Sequence, residues 1–331
     1  MPTRSFPGFS PTFQSPERAM DTHELLSKIT RLPIVTDSLS VDMLSGNFRS
    51  VFKGQGLEFD EARHYQWGDD AKAIDWNASV RLGTPFVKMF REERELTILL
   101  LLDTSASMNS GTANIWGKAQ GMNPYEQALL VAALIAFSAE RGGQRVGALL
   151  FDREIARVFP PRKGRRNVLA FVSGALQCHR PGGASRYLPW QKPQRDGQSS
   201  NLRSAIAGAS RLLKRRSMVV LISDFLSVGW EQELADLGRR HDVIAVRVND
   251  PADGELPDLG LLAIEDPETG LRLAAPTSSA SFRDAWLVWH KERAELWLNL
   301  CRRAGVASLD LPVDADAAAE LRRFFGGRGR R

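Results

Sequence analysis

Residues 96–108 read LTILLLLDTSASM, an apolar run that stops at Asp103 and passes into Thr104, Ser105, Ala106 and Ser107. A carboxylate with hydroxyls at the second and fourth positions after it is an oxygen-rich set, of the kind that suits a hard divalent cation. A second run ends in a similar way. Residues 218–223 read MVVLIS and lead straight into Asp224. Between the two lies a polar turn, Ser199, Ser200 and Asn201, whose residue types also suit the cap of a following helix. Three loops thus offer oxygens. Magnesium takes about six in near-octahedral geometry and keeps some of its waters. One direct carboxylate, two or three hydroxyls and a second aspartate acting in the outer shell would allow that. The purely structural alternative is that Asp103 and its serines cap the next helix and satisfy loop amides.

These loops need a frame. An apolar run as short as 96–102, charged on one side and small and polar on the other, reads as a buried strand of a parallel sheet. Open α/β sheets place their ligand sites at the carboxyl ends of such strands, where Asp103 and Asp224 fall. From residue 96 onward the pattern alternates: strand 96–102, helix 124–140, strand 146–151, helices 165–177 and 202–213, strand 218–223, helix 230–239, strand 242–248 and a last strand at 306–311. That order implies right-handed βαβ crossovers and an α/β fold with a doubly wound, mainly parallel sheet of Rossmann type. Trp286, Trp289, Leu296, Trp297 and Leu300 recur at helical spacing and read as core packing.

Upstream, the first 40 or so residues are irregular apart from a helical pattern at 22–31, and 46–95 is rich in Gly, Asp and aromatic residues, more like small strands and turns than helices. The expected division is an irregular segment 1–45, a small β-rich unit 46–95, an α/β domain 96–325 and a basic tail 326–331.

The chain has 331 residues, 43% of them hydrophobic and 25% charged, which suits a soluble globular protein with one large domain and a smaller unit. No apolar stretch approaches the roughly 20 residues that span a bilayer, and the first 20 residues lack the apolar core of a signal peptide, so the expected location is cytoplasmic. Cys178 and Cys301 are too few for a disulfide framework and are not spaced for zinc. The net charge of +5 is concentrated at 162–166, 214–216 and 322–331, clusters that suit a solvated surface, an acidic protein or nucleic acid.

Asp103, Ser105 and Ser107 match the first element of the metal-ion-dependent adhesion site (MIDAS) of von Willebrand factor A domains. Ser200 falls where that family has a threonine, and Asp224 matches its last aspartate. Asn201 departs from the pattern, standing where an aspartate is often found. Over a wider span, GLEFDEARHYQWGDDAKAIDW at 56–76, GTPFVKMFREERE at 83–95 and then DTSASM resemble the bacterial family called domain of unknown function 58, over roughly residues 48–248. The resemblance implies a von Willebrand factor A-like fold and a magnesium or manganese ion held by Asp103, Ser105, Ser107, Ser200 and Asp224. It also implies a cytoplasmic role as partner or adaptor of a MoxR-type AAA+ ATPase. In such a site neutral hydroxyls leave much of the cation's charge uncompensated, so a partner protein can donate a carboxylate to it.

Binding fits these residues better than turnover. No histidine lies close in sequence to any of the three loops to act as a base. A haloacid-dehalogenase-type phosphatase would carry an aspartate where Ser105 stands. The near P-loop at 111–118 has one residue too many between its glycines and Ala119 after its lysine, and no G-x-S-x-G elbow is present. Glu58, Glu61, Arg63, Asp69, Asp70 and Asp75 could form a second cluster, but Gly68, Asp69 and Asp70 also read as a turn whose carboxylates accept backbone amides or pair with Arg81. In that section Trp67 and Trp76 read as anchors, in the core or at an interface. Two other classes stay open. A metal-dependent hydrolase would show turnover that Asp103→Ala abolishes, and a nucleic-acid binder using 162–166 and 322–331 would show steep salt dependence untouched by that substitution.

Overall fold

The apolar runs become strands with no face toward water, as a parallel sheet covered on both sides requires. The computed structural model describes residues 57–67, 69–70, 74–92, 96–109, 122–178, 201–256, 258–265 and 272–328. The 1–45 segment with its helical pattern, the near P-loop at 111–118, Ser199 and Ser200 lie outside the described residues.

Strands β1 (Leu57–His64) and β2 (Phe86–Glu92) pair antiparallel, with helix α1 (Trp76–Leu82) between them. Next come β3 (Thr97–Asp103), the one-turn α2 (Ala106–Asn109), α3 (Pro124–Arg141), β4 (Arg145–Phe151), β5 (Ile155–Arg162), α4 (Arg165–Leu176) and α5 (Leu202–Leu212). Then follow β6 (Met218–Ser223), α6 (Glu231–Arg240), β7 (Asp242–Asn249), the hairpin β8 (Leu261–Glu265) and β9 (Arg272–Pro276), α7 (Ala280–Arg303), β10 (Ala307–Pro312) and α8 (Ala317–Arg328). The main sheet has the order β10-β7-β6-β3-β4-β5, parallel except for β5. Connections leave β3 toward β4 on one side and return to β6 on the other. The boundary between β3 and β6 is therefore the topological switch point of a doubly wound sheet.

Alternation along β3 divides the core in two. Ile98, Leu100 and Leu102 pack with α3, α4 and α8, whereas Leu99 and Leu101 pack with α5, α6 and α7. Local chemistry starts the helices where the sequence placed them. Asn123 and Glu126 form a reciprocal capping box ahead of α3 with Pro124 in its first turn, and Asn201 Oδ1 accepts from Ser204 N at 2.9 Å to cap α5.

Several expectations need correction. The 46–95 section contains the helix α1, started by Asp75, whose carboxylate accepts from the amides of Asn77 and Ala78, and ended by Gly83 at φ 72°. Those same residues signal a turn when read singly. Asp69 pairs with Arg63 at 2.6 Å and accepts from Gln66 N, so its cationic partner is Arg63 and not Arg81. Trp67 and Trp76 are 99% and 68% exposed, which removes them from the core. In the tryptophan stripe Trp297 is buried, but Trp289 and Leu296 are exposed. α8 runs through residue 328, so the expected basic tail begins inside a helix.

β5 was not legible because its FPPR ending looks like a breaker, yet it is an edge strand, where a residue without N–H is tolerated. Its register shifts opposite Gly147, between Val146 and Ala148. A Cβ on Gly147 would lie 2.8 Å from both Phe159 O and Pro161 Cγ. Gly147→Ala is expected to cost about 1–3 kcal/mol through overpacking. Chemical denaturation checks this as a lower midpoint at an unchanged slope; an unchanged midpoint would mean that β5 shifts away freely.

Candidate metal centre

Asp103 is the last residue of β3 and is fully buried. Its Oδ1 accepts from Ser105 N at 3.0 Å and its Oδ2 from Ser223 Oγ at 2.6 Å. The turn after it is fixed to the neighbouring strand, since Thr104 donates to Phe151 O from both its amide, at 2.8 Å, and its hydroxyl, at 3.0 Å. The hydroxyls of Ser105 and Ser107 lie 3.0 Å apart, and Asn109 Nδ2 donates to Ser105 O at 3.1 Å. Asp224 follows β6 directly. Its Oδ1 accepts from Leu226 N at 2.9 Å, while its Oδ2 is closed off from solvent with no hydrogen-bond partner among the described residues.

The electrostatics follow from this geometry. Burial pushes the Asp103 carboxyl above the ordinary range, the Asp224 charge pushes it further, and the hydrogen bonds from Ser223 and Ser105 oppose both. Asp224 is also raised by burial, against the pull of the Ser107 hydroxyl, the Leu226 amide and the Arg293 charge. Two carboxylates therefore share a poorly solvated place with more negative charge than its neutral donors offset.

Of the five expected ligands, the structure brings Asp103, Ser105, Ser107 and Asp224 together at the switch point, and Ser200 lies outside the described residues. The adjoining Asn201 donates its amide to Asp152 O at 2.8 Å, which ties the start of α5 to the loop after β4. In the 56–76 section Asp69 is engaged by Arg63 and Asp75 caps α1. Among the described residues no group of three or more His, Cys, Asp or Glu side chains is placed to hold a metal. The switch-point site is instead one of paired aspartates with hydroxyls.

Sequence reading missed three contributors. Ser223 touches Asp103 because β3 and β6 are paired, with Leu102 opposite Ile222, and nothing in either segment alone announces that pairing. Asn109 braces the Ser105 turn. Arg293 arrives from α7, lies over the Trp289 ring at 4.9 Å and donates to Phe225 O at 3.4 Å.

A family model described as "Protein of unknown function DUF58" matches residues 61–295. The Mycobacterium tuberculosis protein "Uncharacterized protein Rv1480" is 30% identical over 312 residues, which covers 94% of this chain and 92% of that one. The Mycobacterium avium protein "Uncharacterized protein MAV169" is 37% identical over 136 residues, covering 40% of this chain and 79% of its own. Among solved structures, BatB from Bacteroides thetaiotaomicron is similar at a TM-score of 0.42 and 14% identity, covering 71% of this chain and 100% of that one. The SpRpn10 VWA domain is similar at 0.36 and 11%, covering 68% and 93%. The family model spans most of the α/β domain and reaches back into β1, and on that match the chain belongs to the DUF58 family.

Proposed function

We propose that this protein is a non-catalytic, metal-dependent protein-interaction module. In this reading Asp103, Ser105, Ser107, Ser200 and Asp224 hold a magnesium or manganese ion that takes a further ligand from an acidic side chain of a partner. The observation that carries it is the pair of carboxyls at the switch point, where the buried Asp224 Oδ2 has no partner among the described residues and both groups are pushed up by burial. A divalent cation fits that chemistry, since it would satisfy the orphaned oxygen and offset the paired negative charge. Bound there, it supplies a Lewis-acidic position for an outside carboxylate. The chain's own residues do the rest. Ser223 and the Ser105 amide orient the Asp103 carboxylate, the Ser105 and Ser107 hydroxyls contribute neutral oxygens, and the described parts of the three loops contain no histidine or cysteine to drive hydrolysis.

The partner assigned in this reading is a MoxR-type AAA+ ATPase in the cytoplasm, with the chain as its adaptor in assembly or maturation of a client. Support comes from the resemblance of the motifs at 56–95. No helix among the described residues is long and apolar enough to cross a membrane.

Magnesium at about 100 times its dissociation constant is expected to stabilise the wild type by about 2.7 kcal/mol, and Asp103→Ala should abolish the gain. Thermal melts with and without EDTA check this. Equal shifts in both proteins would reduce the DTSAS turn to a structural device.

The pH dependence has a definite sign. A carboxyl whose folded pKa lies above its unfolded value of about 3.9 contributes stability that is fully present below that value and is lost as pH rises through the folded one. Metal-free protein should therefore lose stability as the pH climbs from about 4, and the gain from magnesium should grow over the same range. Asp103→Asn should flatten both trends in melts recorded across pH; trends that persist in it would assign the titration elsewhere.

For the partner, a pull-down from native extract compares wild type and Asp103→Ala in magnesium and in EDTA. An AAA+ ATPase is expected only with wild type in magnesium. Its recovery in all four conditions would remove the metal from the interaction, and its absence throughout would remove the ATPase.

A further inference from the structure

The segment that follows Asp224 is built rigidly, and at some cost. Phe225 has φ 55°, the left-handed region, and is the one non-glycine residue there among those described. A bulky side chain adopts that conformation only where its surroundings enforce it. Here the surroundings do so from several sides. The Phe225 ring is buried against Trp230 at 5.3 Å and Trp297 at 5.4 Å. Its amide donates to Ser223 Oγ at 3.1 Å, the same hydroxyl that donates to Asp103, and its carbonyl accepts from Arg293. Two residues on, Ser227 is buried and its carbonyl accepts from Trp230 Nε1 at 2.8 Å.

With 225, 227 and 230 drawn inward, the residues between them are pushed out: Leu226 is 49% exposed and Val228 is 85% exposed. Isolated apolar residues on a surface need no explanation. These two sit on a strained, pinned loop that begins at a site carboxylate, and the amide of Leu226 is itself bonded to Asp224.

We propose that Leu226 and Val228 form an apolar rim of the Asp103–Asp224 site that reads the residues flanking a partner's acidic side chain. The occupant is an extended protein segment with an Asp or Glu and a large aliphatic or aromatic neighbour. This rests on the metal-dependent reading above, which sets the acid. Continuity sets the rest. An extended chain advances about 3.3 Å per residue, so a segment whose acid lies at Asp224 carries its neighbouring side chains over Leu226 and Val228.

The test uses the full chain in magnesium and synthetic peptides with one central Asp or Glu, flanked either by Leu and Phe or by Ser and Gly. Wild type is expected to bind the apolar-flanked peptides about tenfold more tightly, the scale of burying one or two such side chains. Val228→Ser should weaken that preference while magnesium affinity by calorimetry and the thermal midpoint stay unchanged. Magnesium-dependent binding of acidic peptides with no flank preference would overturn the rim and leave the metal reading standing. Failure of every acidic peptide to bind in magnesium would overturn both. A wild-type dimer in sedimentation that Val228→Ser dissociates would assign the rim to a second copy of the chain, and that too would overturn the proposal.

Discussion

Holding Asp103 and Asp224 close together in a poorly solvated place is unfavourable twice over, because burial penalises each charge and each charge penalises the other. Much of the surrounding structure answers to that cost. The Ser223 hydroxyl, the amides of Ser105 and Leu226 and the Ser107 hydroxyl all favour the ionised forms, and Arg293 adds a positive charge. The orphaned Asp224 Oδ2 shows that these neutral donors do not complete the compensation. On the proposed reading, a divalent cation would make up that shortfall.

The sheet makes this possible. Strands covered on both faces leave the carboxyl edge at the switch point as the natural place for polar side chains to converge, and β3 and β6 meet there in adjacent register. The two cores on either side fix the strands independently. One core, through Leu99, Leu101 and Leu221, continues into Phe225, Trp230 and Trp297, so packing beneath the sheet reaches the loop that carries Asp224. The tryptophan-rich α7 therefore serves two ends. Trp297 and Cys301 fill the core, while Trp289 carries Arg293 and Trp297 lies beneath the Arg247 guanidinium, itself paired with Asp310.

The unit before the α/β domain is organised differently. It is an antiparallel pair with one short helix, its polar groups tied by Arg63–Asp69 and by the Asp75 cap, and no residue of α1 is buried.

The alternation of apolar runs and helical patterns after residue 96 determined the doubly wound class, and it placed β3, β6, β7 and their helices within a residue or two of where they lie. Such runs are unambiguous because a strand buried on both faces has no polar positions to blur it. The D-x-S-x-S spacing and Asp224 were legible for a related reason, since they stand where those runs end. The other edge strand, β10, was read within a residue of its place, but the edge strand β5 and the hairpin strands were not. β8 and β9 are short, the prolines of β5 are tolerated only at an edge, and α1 hid behind residues that signal turns. What tertiary structure alone decided is everything that depends on pairing: Ser223 beside Asp103, Arg293 against the Asp224 loop, Arg63 in place of Arg81, and the division of the tryptophan stripe into one buried ring and others partly exposed. The physical reason is common to all of them. A side chain's type and its place in an element are local properties, but its partners are set by which strands lie side by side and which helix crosses them.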